Sequence, residues 1–399
     1  MRRAIFGSLV LALAATCGGY SAPAAEADDD PHSPPFANPS KGAAKVEAVF
    51  VLDSTGSMSG LIEGAKSKIW AIAQAILSGD PRPEVRFGLI SYRDKGDAYV
   101  TKVFDLSADL DEVYKNLRTF QADGGGDTPE HVSQALTEAV TKMSWSKDEK
   151  TLRLVFLVGD APPHTDYKDG FDYKKAVKDA LEKDIRVNTV LCGSDGTARK
   201  YWTEIAESGK GEFAAIMQSG GMRVIETPVD GRIAELSRKM GGTSVAYGGA
   251  GSRDRAEAKD KLLADMPAAA LAERAGYARE ASKAAAPAAA SGAFGFRAEW
   301  DLVAAVEAGS VKLADLKDDQ LPEEMKKLSA DERKALIDKK IAERKAIQDE
   351  IVKLSRERDE FIARKLKEEG KGERDAFDGK VLEMLKKQAE AKGIKYKSE

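Results

Sequence analysis

The chain has 399 residues, with 62 basic and 66 acidic side chains and a formal net charge of −4. That balance excludes a broadly basic surface, so nucleic acid is not an expected partner. Hydrophobic residues make up 42% and charged residues 32%, enough for one full-sized core with a long polar remainder.

The N-terminus reads as an export signal. Arg2 and Arg3 precede the apolar run Ala4 to Ala15, which is too short to anchor the chain across a bilayer. Ala22-Pro23-Ala24 offers a cleavage site for ordinary signal peptidase and sets a signal segment of 1–24. Ala14-Ala15-Thr16-Cys17 offers the alternative, a degraded lipid-attachment motif with Cys17 as the anchor. No later segment is apolar for long enough to cross a membrane. The expected location is therefore that of an exported bacterial-type protein: periplasmic, secreted, or a membrane-anchored lipoprotein. Beyond the signal only Cys192 remains, so no intramolecular disulfide is expected, and its apolar strand marks it as a small buried residue. Residues 25–44, rich in Pro, Ala, Ser and Asp, read as a disordered linker.

From 45 to 245 strands and helices alternate. Val46 to Leu52 is a short apolar run ending at Asp53, as expected of a buried strand. Leu61, Ala65, Ile69, Ile72 and Ile76 share one face of a helix over 61–77. Strands follow at 85–92 and, antiparallel at an edge, at 99–104. Helices are expected over 110–120 and over 129–143, where Pro129 suits the first turn. The apolar run 152–158 is a strand ending at Gly159-Asp160. A helix (173–182), a strand (185–191), a helix (197–208), a weak strand (211–216) and a closing helix (228–240) complete the series. Such alternation implies an α/β fold: a doubly wound, mostly parallel sheet with helices on both faces. Ligands in such folds sit at the carboxyl ends of the strands, where Asp53 and Asp160 both fall.

Residues 246–293 are rich in Ala, Gly and charge and read as a helical linker, with a helix or two around 254–284. The region 294–399 is helical and highly charged. Ser329-Ala330-Asp331-Glu332 fits a capping box opening a long helix to about Glu369. Ile347, Ile351, Leu354 and Phe361 form a seam of coiled-coil type, interrupted by Arg358. Forty residues of helix make a rod of about 60 Å. Two readings stay open for it: a solvated helix packed on its own domain, or an arm for self-association and partner docking.

The chemistry lies in three loops. Asp53-Ser54-Thr55-Gly56-Ser57 places a carboxylate and two hydroxyls at alternate positions after the first strand. Gly124-Gly125-Gly126-Asp127-Thr128-Pro129-Glu130 brings a further hydroxyl on a flexible loop, and Asp160 a carboxylate at a strand end. All are hard oxygen donors, suited to Mg²⁺, Mn²⁺ or Ca²⁺. The plain structural alternative makes Asp53 and Thr128 helix N-caps and Asp160 a turn residue. His164 and Asp166 could line the mouth of the site or belong to a rigid surface loop. His131 reads as a helix-face residue, and Ser54 and Asp127 as pointing elsewhere. Arg93 and Asp94, at the end of the second strand, could brace the loops. No P-loop, G-x-S-x-G elbow or H-E-x-x-H motif is present, and no nucleophile with a plausible base is visible.

These three loops, in this order, resemble a von Willebrand factor type A domain with a metal-ion-dependent adhesion site, over roughly 45–245. The resemblance implies Asp53, Thr55, Ser57, Thr128 and Asp160 as the ion-holding residues. Thr55 stands where the family often has Ser, and keeps the hydroxyl. The resemblance further implies an open coordination position for an acidic residue of a protein partner. The expected function is thus a metal-dependent protein-binding module of the cell envelope, and not an enzyme. A scaffold acting through the C-terminal helices and an ion-assisted hydrolase are the alternatives.

Overall fold

Val46, Ala48, Phe50 and Leu52 project from the first strand into one apolar cluster, and Val49 and Val51 into another, and all six are buried. A strand buried on both faces needs helices on both sides, and the fold supplies them. The structure is a computed structural model that describes residues 44–126, 128–249, 251–283, 290–369 and 376–396. The signal segment, Cys17, the linker up to residue 43 and Asp127 lie outside the described residues.

Six strands form one sheet: β1 (Lys45–Asp53), β2 (Glu84–Tyr92), β3 (Thr101–Ser107), β4 (Thr151–Gly159), β5 (Ile185–Cys192) and β6 (Lys210–Ile216). Their order is β3-β2-β1-β4-β5-β6, with β3 antiparallel at the edge and the other neighbours parallel. The helices of this part are α1 (Ser59–Leu77), α2 (Leu110–Leu117), α3 (Val132–Thr141), α4 (Tyr173–Glu182), α5 (Gly196–Ser208) and α6 (Asp230–Gly241). Buried residues of α1, α2 and α6 join the cluster on one face of the sheet, and those of α3, α4 and α5 the cluster on the other. The mostly parallel, doubly wound α/β sheet expected from the sequence is the one observed.

One boundary differs in a way that matters for the site. Helix α3 begins at Val132, three residues after Pro129. The intervening backbone is committed elsewhere: the Glu130 N–H donates to the Pro162 carbonyl at 3.0 Å and the His131 N–H to the Arg93 carbonyl at 3.3 Å. Thr128 is therefore not a helix cap. His131 takes that role, its Nδ1 accepting the Gln134 N–H at 3.4 Å, and so is not a helix-face residue.

The segment expected as a linker is packed. α7 (Gly251–Asp265) and α8 (Ala268–Ser282) are separated at Pro267, and α8 lies against α1 and α6 with Leu271, Ala272, Ala275 and Ala278 buried. Small residues let the helices approach closely. Arg274 of α8 makes two hydrogen bonds to Asp111 of α2, at 2.7 and 2.8 Å, and Lys259 of α7 binds the same carboxylate. Short helices α9 (Ala290–Ala293), α10 (Leu302–Glu307) and α11 (Glu323–Lys326) lead to α12 (Ala330–Glu369). The Ser329 capping box is present: Ser329 N–H donates to Glu332 Oε2 at 2.8 Å, and Glu332 N–H to Ser329 Oγ at 3.3 Å.

Helix α12 is not a free rod. It packs on α6, α8 and α10, burying Ile347 and Ile351 in the core of its own chain. Arg358, a break in the apolar seam by periodicity, is buried between Asp230 and Glu273 at 3.0 Å from each. Arg344 pairs with Asp301 at 2.6 Å, both wholly buried. The last helix, α13 (Phe377–Ala389), lies on β4, β5 and β6. Among the described residues no helix is long and apolar enough to cross a membrane.

Candidate metal centre

The chain leaves β1 for α1 on one face of the sheet and leaves β4 for α4 on the other. Because β1 and β4 are neighbours, this divergence opens a crevice at their carboxyl ends. Asp53 closes β1 and Asp160 follows β4, one on each wall.

Asp53 is fully buried. Its Oδ1 accepts two hydrogen bonds from Thr55, from the backbone N–H at 2.9 Å and from Oγ1 at 2.7 Å. Its Oδ2 is buried with no hydrogen-bond partner. Ser57 is exposed, its Oγ 3.4 Å from Thr55 Oγ1. The second loop meets the first directly: the Gly56 N–H donates to the Gly124 carbonyl at 3.3 Å. Gly124 and Gly125 have φ of +80° and +87°, a left-handed backbone that glycine adopts without strain. Thr128 is exposed on this same loop. Across the crevice Asp160 is half-buried, and its Oδ2 accepts from Gln218 Nε2 at 2.6 Å.

Burial pushes the Asp53 carboxyl up to about 7, with the nearby Asp160 charge adding to the shift and the hydrogen bonds from Thr55 opposing it. Glu130 is pushed up to about 9, first by burial and then by the charges of Asp53, Asp94, Asp97 and Asp160. Burial likewise raises the Cys192 thiol well above its ordinary value, and its side chain is 1% exposed, as expected of a small core residue. Ionisation of the Asp53 and Glu130 carboxyls is thus disfavoured in a poorly solvated crevice, and a cation would restore it.

The surrounding bonds hold the loops in place. Arg93 donates from Nε to the Ser54 carbonyl at 3.1 Å and from Nη2 to the Gln121 carbonyl at 2.7 Å, tying the first loop to the second. Ser54 turns away from the crevice, its Oγ donating to the Tyr92 carbonyl at 3.0 Å. Asp94 accepts from Tyr167 Oη at 2.6 Å. His164 Nδ1 lies 2.8 Å from Asp166 Oδ1, and its ring stacks on Tyr167 at 4.0 Å. His131 Nε2 and Lys95 Nζ share Asp169 Oδ2, at 2.8 and 2.6 Å. His131 thereby fastens the segment after Asp160 to the start of α3, while the side-chain contacts of His164 with Asp166 and Tyr167 brace that segment internally.

The donor set fits a hard divalent ion: a buried carboxylate oxygen without a partner, two adjoining hydroxyls and a facing carboxylate. Among the described residues no group of three or more His, Cys, Asp or Glu is arranged to hold an ion, so the hydroxyls are integral to the set. Two residues at the crevice were not singled out from sequence. Gln218 directly follows β6, and the rule that strand ends line the site would have flagged it. Glu130 stood in the second motif without a role.

Residues 47–228 match the family model described as the von Willebrand factor A domain. Alpha-protein kinase vwkA of Dictyostelium discoideum is 32% identical over 124 residues, covering 31% of this chain and 19% of that protein. The von Willebrand factor A domain-containing protein 7 of Rattus norvegicus is 29% identical over 194 residues, covering 48% of this chain and 20% of the relative. The chain thus spans about a fifth of these curated relatives. Among solved structures, the SpRpn10 VWA domain aligns over 44% of this chain and 89% of its own, at 13% identity and a TM-score of 0.34. Over residues 47–228, the chain carries a von Willebrand factor A domain.

Proposed function

We propose that this domain is a divalent-ion-dependent protein-binding module that recognises an acidic side chain of its partner. Domains of this family commonly mediate protein–protein interaction. The observation that carries the ion-dependent reading is Asp53 Oδ2, buried and unpartnered beside the hydroxyl of Thr55. A buried carboxylate oxygen left without a hydrogen bond is costly, and a cation offsets that cost. Asp53, Thr55, Ser57, Thr128 and Asp160 would hold the ion, with Mg²⁺, Mn²⁺ or Ca²⁺ as the class. When bound, such an ion supplies an electrophilic centre for a carboxylate from another molecule. Arg93 keeps the first two loops together, and the Gln218 contact orients Asp160. The export signal read from the sequence of residues 1–24 supports a setting outside the cytoplasm, in the cell envelope or beyond it.

Titration calorimetry with Mg²⁺ and Mn²⁺ on the full chain and on Asp53→Ala tests the reading. A saturable heat in the native protein that vanishes in the variant is expected. No heat at millimolar ion in the native protein would sink it. A pull-down from envelope extract, with and without chelator, then tests whether a partner is held through the ion. The scaffold alternative finds less support, because α12 and α13 spend their apolar faces on their own chain.

A further inference from the structure

Glu130 has a fixed main chain and an unused side chain. Its N–H donates to the Pro162 carbonyl, and its own carbonyl accepts from the His164 N–H, both at 3.0 Å. The residue is therefore clamped to the segment that follows Asp160, while lying two residues beyond Thr128. The side chain is 2% exposed, Oε2 has no hydrogen-bond partner, and no ion pair is formed among the described residues.

Its direction can be read from the second loop. A Cβ built on Gly125 would lie 3.3 Å from Thr55 Cβ and 3.7 Å from Glu130 Oε1. The carboxylate thus faces the same small volume as the first-loop threonine. The acidic groups whose charges reach it are Asp53, Asp94, Asp97 and Asp160. Asp94 Oδ1, one of these, is also buried without a partner. A buried carboxyl oxygen left without a hydrogen-bond partner is unfavourable for a fold by itself, unless something positive belongs there.

We propose that Glu130 is a supporting acidic group of the ion site, its carboxylate beside Thr55 adding negative charge that strengthens the hold on the cation without being a third carboxylate ligand next to Asp53 and Asp160. The proposal rests on the ion reading above. Mn²⁺ is the better probe, since Mg²⁺ retains most of its water and takes few carboxylates.

Calorimetry with MnCl₂ on the full chain and on Glu130→Gln, with melting curves of both in chelator, tests it. The variant is expected to bind Mn²⁺ at least tenfold more weakly, the scale seen when a supporting group of a metal site is removed. In chelator it should melt no lower than the native protein, because a neutral amide replaces an unpaired acid. Unchanged Mn²⁺ affinity overturns the proposal. A variant that melts well below the native protein in chelator overturns it too, since that marks a structural role. If Glu130→Gln does not fold, Glu130→Asp, with the carboxylate withdrawn by one methylene, must show the same loss of affinity, and native affinity there is fatal. A native protein that gives no heat with Mn²⁺ removes the ion reading as a whole. A native protein and variant that bind equally well remove only the role of Glu130.

Discussion

Gln388 of α13 donates from its side-chain amide to Asn188 Oδ1 of β5 at 2.5 Å, across two hundred residues of sequence. The same oxygen accepts the Glu212 N–H of β6 at 2.9 Å, so one buried amide joins two strands to the last helix. The family match ends at residue 228, yet the packing of its sheet ends far beyond it. The Phe377 ring lies 6.2 Å from that of Phe50 at the sheet centre, and Phe50 stacks on Phe156 at 5.3 Å. Helix α13 is thus part of the domain's core.

Phe377→Ala should cost about 3–5 kcal/mol in denaturant unfolding, the usual range for a buried aromatic cut to alanine. Ending the chain at residue 375 removes the whole of α13 and should do more: an early melt and binding of a hydrophobic dye. A chain ended there that unfolds like the full protein would show α13 to be dispensable.

Arg358 is a second long-range tie. It sits between Asp230 and Glu273 and is only 3% exposed, so α12 is fastened to α6 and α8 through a buried charge. Arg358→Met would leave two carboxylates buried without their cation, and about 3–5 kcal/mol of stability should be lost. Adding Asp230→Asn and Glu273→Gln to that variant should recover part of the loss. Urea midpoints of the single and triple variants decide it, and equal midpoints would mean that the charges do not act together.

Acid should expose a third tie. Burial raises the Asp111 carboxyl, but Arg274 and then Lys259 outweigh it and hold the group well below the usual carboxylate range. With the folded value below the unfolded one of about 3.9, this contribution is fully present above the unfolded value. It fades as pH falls through that value toward the folded one. Asp111→Asn should therefore cost stability at pH 7, about 3–5 kcal/mol for two stranded cations. The gap to the native protein should narrow below about pH 4. Urea unfolding of both proteins at several pH values between 3 and 7 measures it, and a gap that stays constant would contradict the assignment.

Local chemistry was readable in the sequence, whereas long-range complementarity was not. The apolar run ending at Asp53 announces β1 and the crevice together, because burial on both faces and a terminal carboxylate are properties of adjacent residues. Pro129 suggested a helix start, but the bond from Glu130 to Pro162 lies across the fold and delays α3 to Val132. Arg358 looked like a flaw in an apolar seam because its partners lie 128 and 85 residues away. Phe377, Val381, Met384, Leu385 and Gln388 do carry helical spacing. Nothing in that spacing says which surface they cover.

Gly159 offers a steric test of the crevice that leaves every oxygen donor in place. A Cβ there would lie 2.5 Å from Tyr92 Oη, 3.0 Å from Asp53 Cβ and 3.1 Å from Asp53 Oδ2. Its backbone is that of an ordinary strand end and accepts alanine without strain, so only the crowding counts. Gly159→Ala should therefore fold, lose about 1–3 kcal/mol as overpacked cores do, and displace the Asp53 side chain. Affinity for Mn²⁺ should fall at least tenfold, as for a metal site whose support is disturbed. Gly196→Ala is the matched control, since a Cβ there meets nothing within 4 Å. It should change stability by less than about 0.5 kcal/mol. Calorimetry on both variants separates the two, and Gly159→Ala binding Mn²⁺ as tightly as Gly196→Ala would show that the ion does not sit against Asp53.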